Sequence, residues 1–307
     1  MKAGNAALPT PHHAKLRALR GNRRLSARDK PRVEEAIRRY HQWIAELERV
    51  PLGHPTAVED LVAATNRYWL FFELDFVFDS PEDFLYRQKG QLKLDNTILE
   101  EFLPHLLCRG LRGLQGGFEF GPRSTFAGMT FTSSLGNPGI GGNPSLRTKN
   151  QDFILGKKLY VKTSFDSDFE SFDLVKSHLG YVCAECKTNL DKTMFQEAVA
   201  TSRDLKIAVP NSLYFLVCEF LDMTPVSIVS TQIDDVLIVR KAKRMSSNVR
   251  QQYTNCAARR ERRGEYVDFL NACTYRPDVF QRMLAKVQEL IDDTAPDVDK
   301  VIGRGHF

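Results

Sequence analysis

An acid and a lysine stand two positions apart in an otherwise apolar run. The run is Tyr181-Val-Cys-Ala-Glu-Cys-Lys-Thr188, and its charged residues are Glu185 and Lys187. Such a run is typical of a buried strand, on which residues two apart point to the same face. Burying both charges is costly unless they pair, bind a metal or react. A carboxylate that holds Mg²⁺ beside a lysine that orients or activates water suits phosphodiester hydrolysis, so the run indicates a metal-dependent nuclease.

The flanking segments distinguish this pair from a chance match. Asp204-Leu-Lys206 has the same pattern, but it lies among polar residues where a helical segment ends, and we assign it no role. After the motif, Asp191 can cap a helix that runs to Leu205, and a second apolar run follows from Ser212 to Leu221. A strand, a helix and a strand of these lengths predict a right-handed crossover between parallel strands of a covered sheet.

The elements upstream of the motif must supply the rest of the sheet. We expect two short strands, Gln151–Leu155 and Lys158–Lys162, joined by a turn at Gly156. Before them, residues 95–107 place apolar side chains on one face of a helix. The predicted order is helix, three strands, helix, strand, which is an α/β fold with Glu-x-Lys on the third strand.

This order, with an acid that opens the sheet, resembles the PD-(D/E)XK restriction-endonuclease-like fold, a mixed sheet flanked by helices. Five segments resemble the family more closely: Phe78-Asp-Ser80, Asp83–Asp95, Ile98-Leu-Glu-Glu-Phe-Leu103, Gln151-Asp-Phe153 and Glu185–Gln196. Together they are similar to the Bpu10I (Bpu-ten-I) family of type II restriction endonucleases over roughly residues 30 to 240. The resemblance implies Mg²⁺-dependent, sequence-specific cleavage of double-stranded DNA, in a family known for heterodimeric enzymes that act on asymmetric sites.

The residue types suggest a role for each candidate catalytic residue. Glu185 and an upstream aspartate, for which we choose Asp152, would hold Mg²⁺, and Lys187 would position or activate the attacking water. By resemblance to the fold, the backbone carbonyl of Cys186 would be a further metal ligand. Asp152 is chosen because it opens an apolar strand inside a family-like segment.

Other acids compete for these roles or support them. Asp166 and Asp168 are nearer the motif but lie in a turn-like stretch, and they remain rivals to the chosen aspartate. Glu100 lies at the edge of the apolar face of its helix, whereas Glu101 points roughly opposite, so Glu100 could reach the metal through a water or simply be solvated. Gln196, early in the helix after the motif, could contact DNA or the site lysine, or be exposed.

Positive charge is concentrated in two segments. Residues 1–28 carry seven basic residues and no acid, and residues 240–263 carry nine basic residues against one acid, a net of +8. Because the whole chain carries only +5, the remainder is acidic, and two basic segments on such a body favour phosphate contacts. The alternative is a disordered arm and a solvated helix face. The predicted DNA contacts are Arg20, Arg23, Arg24, Arg240, Lys241, Lys243 and Arg244.

The cysteines do not indicate a metal site. Of six cysteines only Cys183 and Cys186 are closely spaced, and three positions apart on a strand they face opposite sides. We expect small core residues in a reducing compartment. The chain begins without an apolar leader segment and contains no run of about 18 apolar residues, so we expect a soluble cytoplasmic protein.

Four regions follow from these patterns: a basic flexible arm over 1–28, a helical N-terminal region over 29–94, a nuclease core over 95–240, and a basic, helical C-terminal region over 241–307. Within them we expect a helix from Asp29 to Pro51, an aromatic core segment over 58–78, and a packed helix over 277–293. The Gly-rich stretch 136–144 lacks a nucleotide-loop signature and is expected to be a flexible connection near DNA.

One Glu-x-Lys centre hydrolyses one strand at a time, so a double-strand break requires two copies of the chain or a second subunit. The resemblance favours a related second subunit, a heterodimer, over a homodimer, which would read a palindrome. Two alternatives stay open: a repair or modification-dependent nuclease, and a non-catalytic DNA-binding subunit with a nuclease-like fold. The recognition sequence depends on a few groove-reaching side chains that composition does not reveal.

Overall fold

The computed structural model describes residues 8–114, 116–292 and 298–305 of the chain. Its centre is a mixed five-stranded sheet with strand order β1-β2-β3-β4-β5. The strands are β1 (Glu119–Phe131), β2 (Pro144–Thr163), β3 (Asp173–Leu190), β4 (Leu213–Leu221) and β5 (Asp235–Lys243). The first three pair antiparallel and the last three parallel. The chain is therefore of the α/β class, as predicted.

Helices precede, interrupt and follow the sheet. The preceding helices are α1 (Pro11–Arg20), α2 (Lys30–Arg49), α3 (Ala57–Leu70), a π-helix (Phe71–Phe78), α4 (Phe84–Gln88) and α5 (Asn96–Gly110). The crossover helix is α6 (Lys192–Ala208), and the later ones are α7 (Ser247–Gln251), α8 (Cys256–Glu261), α9 (Arg263–Ala272), α10 (Pro277–Asp292) and α11 (Val298–Arg304). Within the described ranges, no helix combines the length and apolar character that crossing a membrane requires.

The crossover after the motif is confirmed. Helix α6 joins β3 to the parallel strand β4, and the Asp191 side chain caps it by accepting the Met194 N–H at 2.9 Å. The apolar stripe of α2 is also confirmed, since Val33, Tyr40 and Leu47 are buried. Helix α10 buries its apolar face as predicted, although residue 293 lies outside the described residues.

The predicted turn at Gly156 is wrong. Residues 144–163 form one strand, β2, and Gly156 lies at a bulge where the register with β3 shifts. A Cβ at this position would collide with the carbonyl oxygen of Leu179, so the glycine permits a close backbone approach within the sheet. Strand β1 was not predicted, because Gly121 and Gly128, both with positive φ, accompany two register shifts that interrupt its alternation.

The predicted flexible arm is wrong for its described part. Residues 11–20 form helix α1, which buries Leu16 and Leu19 against the other N-terminal helices. The His12 main-chain N–H donates to the Glu101 carboxylate at 2.8 Å, which ties α1 to α5. Residues 1–7 lie outside the described part of the chain. Most of this basic segment is therefore attached to the body.

Two apolar clusters cover the sheet. The larger one includes the aromatic residues of 58–78, as expected, and receives Val182, Ala184 and Cys186 from β3. The smaller one lies under α6 and receives Cys183 from the same strand. The two cysteines therefore face opposite sides of the sheet, as the strand period predicts.

Candidate active site

Strands β2 and β3 bring an aspartate to the acid-lysine pair. Their register places Phe153 opposite Ala184, so Asp152 lies next to Glu185. The Asp152 carboxylate accepts the main-chain N–H of Cys186 at 3.0 Å, which fixes its orientation. Lys187 Nζ lies 3.7 Å from Glu185 Oε2 on the same face of β3. The three residue types named from the sequence thus converge at one place.

The Glu185 carboxylate is largely buried and poorly solvated. Its Oε2 atom has no hydrogen-bond partner. Burial raises the pKa of Glu185, Lys187 lowers it, and the negative charge of Asp152 raises it again. On the neighbouring strand, burial and then the charge of Glu185 raise the pKa of the Tyr214 phenol. A cation beside Glu185 would relieve this cost, because it would favour the charged form.

Helix α5 supplies a third carboxylate from the other side of the sheet. Glu100 is buried, and the Asn96 side-chain amide donates to it at 2.7 Å. Burial, followed by the charge of Asp152, raises the pKa of Glu100 to about 7. The adjacent Glu101 points away into the helices, where His12 N and the Tyr40 hydroxyl donate to it. Glu100 therefore lies near the aspartate and is not a solvated helix carboxylate.

The rival aspartates lie elsewhere. Asp166 and Asp168 occupy the turn between β2 and β3, at the end of β2 remote from Asp152. The Asp166 carboxylate accepts the main-chain N–H groups of Asp168 and Glu170 at 3.1 and 2.8 Å, and these hydrogen bonds lower the pKa of Asp166. Asp166 therefore shapes its own turn, and the structure does not bring either rival to Glu185.

A cleft of about 790 Å³ opens beside these residues. Asp152, Cys186 and Lys187 contribute to its wall. Glu185 does not line the cleft, but its Oε2 atom lies 3.7 Å from the Lys187 ammonium. Basic side chains of the helical regions also line it, namely Arg87, Lys89, Lys93, Arg244 and Arg250. Four acids also line the cleft, namely Glu73, Asp95, Asp152 and Glu219, against six basic side chains when Lys187 is included. This modest excess of positive charge suits a polyanionic substrate. Lys89 and Lys93 were not singled out in the sequence, although both lie in the family-like segment 83–95.

Comparisons with known proteins decide the family. The protein-family model described as "Bpu10I restriction endonuclease" matches residues 91–307, which is more than half of the chain. The chain belongs to the Bpu10I restriction endonuclease family. It is thus a nuclease of the restriction-modification class, as the resemblance predicted, although the match starts and ends later in the chain than expected. No curated protein matches.

A solved structure agrees with this family at the level of the fold. The structure described as "native BbvCI A2B2 tetramer at low resolution" has a TM-score of 0.52 and 18% sequence identity to this family member. The comparison covers 88% of this chain and 100% of that chain. At this identity the similarity shows that the fold is shared with a restriction enzyme.

In this Bpu10I family member one predicted DNA contact is wrong. The Arg240 side chain is completely buried, with Nε 2.9 Å from Glu219 Oε2 and its guanidinium carbon 3.5 Å from the Trp69 ring centroid. Arg259 is likewise buried and donates to three backbone carbonyls of residues 78–82. Both arginines of the basic segment therefore hold the C-terminal region against the body.

The other predicted DNA contacts have solvent access. Lys243 is exposed, Lys241 pairs with Asp278, and Arg244 lines the cleft while pairing with Asp222 at 2.7 Å. At the N-terminus the exposed residues are Arg20, Arg23 and Arg24. Their contact with DNA stays a prediction.

Gln196 is not brought to the site. It is exposed on α6 and does not line the cleft. Among the described residues, no three acidic, histidine or cysteine side chains are placed to hold a metal ion together. A divalent ion at this site would therefore depend on two carboxylates, with backbone or solvent oxygens completing its shell, which is how Mg²⁺ is often bound. The Glu185 oxygen that accepts no hydrogen bond fits such an ion.

Proposed function

We propose that this chain is a type II restriction endonuclease, or one subunit of one, that hydrolyses double-stranded DNA at a specific sequence with Mg²⁺. The observation that carries the proposal is the convergence of Asp152, Glu185 and Lys187, with a buried Glu185 oxygen that accepts no hydrogen bond and lies 3.7 Å from the Lys187 ammonium. On this proposal the sheet is a PD-(D/E)XK core. Family membership supports the reaction class.

Each residue has a role that its position supports. Asp152 and Glu185 would hold the ion, and the carbonyl of Cys186 would add a third oxygen. Mg²⁺, when bound, would polarise the phosphate and lower the pKa of a bound water. Lys187 lines the cleft, so its ammonium can hold a water against the phosphorus. Glu100 would act through a water, since it neighbours Asp152 from a different element.

Metal binding at this site should depend on pH, because it requires ionised carboxylates. Burial and the negative charge of Asp152 raise the pKa of Glu185 against the opposing charge of Lys187, and burial with the same Asp152 charge raises the pKa of Glu100 to about 7. The ionised forms are the ones that bind a cation, so metal affinity should fall as the pH is lowered. Added Mg²⁺ should then restore binding at the lower pH by mass action.

DNA would lie along the cleft, where Lys93, Arg244 and Arg250 can approach its phosphates. Because one such centre hydrolyses one strand, a second subunit is needed for a double-strand break. The solved neighbour is described as an A2B2 tetramer, an assembly of two kinds of chain. We therefore propose a related second subunit as the partner, with self-assembly of two copies as the alternative.

Plasmid cleavage with and without Mg²⁺ tests the proposal. Glu185→Gln and Lys187→Ala should each lower nicking by about 10²- to 10³-fold, because each removes a charge from the reacting centre. Lys30→Ala, which changes an exposed lysine that is neither in the cleft lining nor among the predicted DNA contacts, is the matched control and should cleave normally. Calorimetric titration with Ca²⁺ supplies a second readout, and Glu185→Gln should weaken it at least about tenfold.

Specific outcomes would refute the proposal. Near-normal cleavage by a folded Glu185→Gln variant would exclude this centre. Cleavage restricted to methylated plasmid would identify a modification-dependent nuclease instead. Specific DNA binding with no cleavage, alone or with a candidate second subunit, would identify a non-catalytic subunit.

A further inference from the structure

The two turns that flank β2 expose large apolar side chains. Of the fifteen such side chains exposed in the described residues, nine lie between residues 129 and 174. Leu135 is fully exposed, Phe165 is 69% exposed and Tyr160 is 58% exposed. We call the turns 132–143 and 164–172, with the adjoining ends of β1, β2 and β3, the hairpin-end surface. Exposed apolar side chains scattered singly are ordinary, but a concentration of them is typical of an interaction site.

The two turns form one surface. The Phe165 N–H donates to the carbonyl of Ile140 at 3.1 Å. The N–H groups of Gly141 and Asn143 both donate to Asp173 Oδ2, at 3.0 and 3.2 Å. These bonds cross between the turns and hold them together. The exposed side chains of the two turns therefore lie close together.

The area of this patch matches a protein interface. If a fully exposed large apolar residue presents roughly 200 Å², the nine exposed fractions amount to roughly 1,000 Å². The largest apolar patch of a typical monomer covers roughly 300–600 Å². A stable interface of ordinary size takes roughly 800 Å² from each partner. The hairpin-end surface is therefore large enough for a stable dimer.

The charge of the surface disfavours DNA as its occupant. Residues 132–143 carry no charged side chain, and residues 164–173 carry four acids and no basic residue. Surfaces that bind DNA are positively charged and polar. Neither turn supplies a basic side chain to bind phosphate, and the four acids offset the lysines on the adjoining strands, so a protein fits this surface better than DNA does.

The charges next to the turns are complementary to those on them. Lys158 and Lys162 on β2 and Lys176 on β3 are exposed and share one face, as the strand register shows. Neither these lysines nor the exposed Asp168 and Glu170 form an ion pair with another described residue. A two-fold contact presents the same patch on both sides, so the acidic turn of one copy can meet the lysines of the other.

We propose that the hairpin-end surface binds a second copy of this chain. The contact buries the exposed aromatic and aliphatic side chains and pairs each acidic turn with the opposite lysines. It involves no residue of the candidate active site, so it stands or falls independently of the proposed function. It would join two copies of this chain whether or not a different subunit is also bound.

Sedimentation equilibrium of the purified full chain tests the contact. The wild type should be a concentration-dependent dimer, and Phe165→Asp should raise the dissociation constant at least about tenfold, because it places a charge in the apolar patch. Val229→Asp is the matched control, since Val229 is 92% exposed but lies outside the surface. It should dimerise like the wild type. Circular dichroism should show both variants folded, because both side chains face solvent.

A charge exchange tests the pairing. Asp168→Lys with Glu170→Lys should make one variant monomeric, and Lys158→Glu with Lys162→Glu should do the same to another. Mixing the two should restore a dimer. The lysines introduced in the turn of one variant then face the glutamates introduced on β2 of the other, and the unaltered lysines of the first face the unaltered acidic turn of the second. Failure of the mixture to associate, while the wild type dimerises, would refute the pairing.

Two other results would overturn the proposal. One is a wild type that stays monomeric up to about 100 μM, since an interface of this area should associate below that concentration. The other is DNA binding at this surface. In that case fluorescence anisotropy would show weaker binding of duplex DNA by the Lys158→Glu, Lys162→Glu double variant and also by Phe165→Asp. Unchanged duplex affinity in these variants supports a protein contact.

Discussion

Replacing Arg240 by methionine should destabilise the fold without a direct effect on DNA binding. The buried guanidinium pairs with Glu219, donates to the Cys273 carbonyl at 2.7 Å, and lies 3.5 and 4.0 Å from the ring centroids of Trp69 and Tyr275. Methionine keeps much of the apolar volume but removes the charge and the donors. The substitution therefore leaves the Glu219 carboxylate buried without its cation.

The expected loss is about 3–5 kcal/mol in the free energy of unfolding, the usual cost of removing one partner of a buried pair. The Tyr275 hydroxyl would still donate to Glu219 at 2.6 Å, which places the loss nearer the lower value. Burial raises the pKa of Glu219, and the charge of Arg240 opposes this rise. Without Arg240 the pKa of Glu219 should rise further, so the folded variant takes up a proton at a higher pH than the wild type does.

The sign of the pH dependence follows. A carboxyl whose folded pKa exceeds its unfolded pKa stabilises the fold at low pH and loses that stabilisation as the pH rises. Arg240→Met should therefore lose more stability relative to wild type at about pH 8 than at about pH 5. Adding Glu219→Gln should recover most of the loss at the higher pH, since no buried charge remains.

Urea unfolding at the two pH values measures these differences. Lys243→Met, on the same strand but exposed, is the control and should change stability by less than about 0.5 kcal/mol. The affinity of Arg240→Met for duplex DNA, per folded molecule, should equal that of the wild type. A folded, fully stable Arg240→Met protein that binds DNA weakly would refute the structural role and return Arg240 to the DNA interface.

Three further predictions test other parts of the chain. Asp152→Asn should lower Mg²⁺-dependent plasmid cleavage at least about 100-fold, whereas Asp166→Asn should cleave normally; the opposite ranking on a gel would move the metal site to the turn. Leu16→Ala should cost about 2–5 kcal/mol in urea unfolding, and an unchanged midpoint would mean that α1 is not part of the core. Burial raises the pKa of Glu101 to about 7, so wild-type stability carries a contribution that is lost as the pH rises through that value. The free energy of unfolding of Glu101→Gln relative to the wild type should therefore increase by on the order of 3 kcal/mol between about pH 4 and pH 8. A difference between the two proteins that stays constant with pH in melting experiments would contradict this.

Local patterns were enough for the elements that repeat with a regular period. The stripe of α2, the apolar face of α10 and the capped crossover helix α6 all follow from residue spacing, and the structure agrees. Strand β1 and the continuity of β2 did not follow, because Gly121, Gly128 and Gly156 interrupt the pattern. A glycine that permits a bulge has the same local sequence signal as one that permits a turn, and only the neighbouring strand distinguishes them.

The same division applies to the site. The amino-acid sequence by itself determined that Glu185 and Lys187 share a face, because the strand period is a property of two residues on one segment. Which aspartate joins them was decided by the register of β2 against β3, a contact between segments far apart in the chain. The burial of Arg240 was decided in the same way, since Trp69, Glu219 and Tyr275 come from three separate segments. The sequence gives the charge of each side chain. Whether that side chain contacts solvent, DNA or a buried partner depends on how distant segments pack.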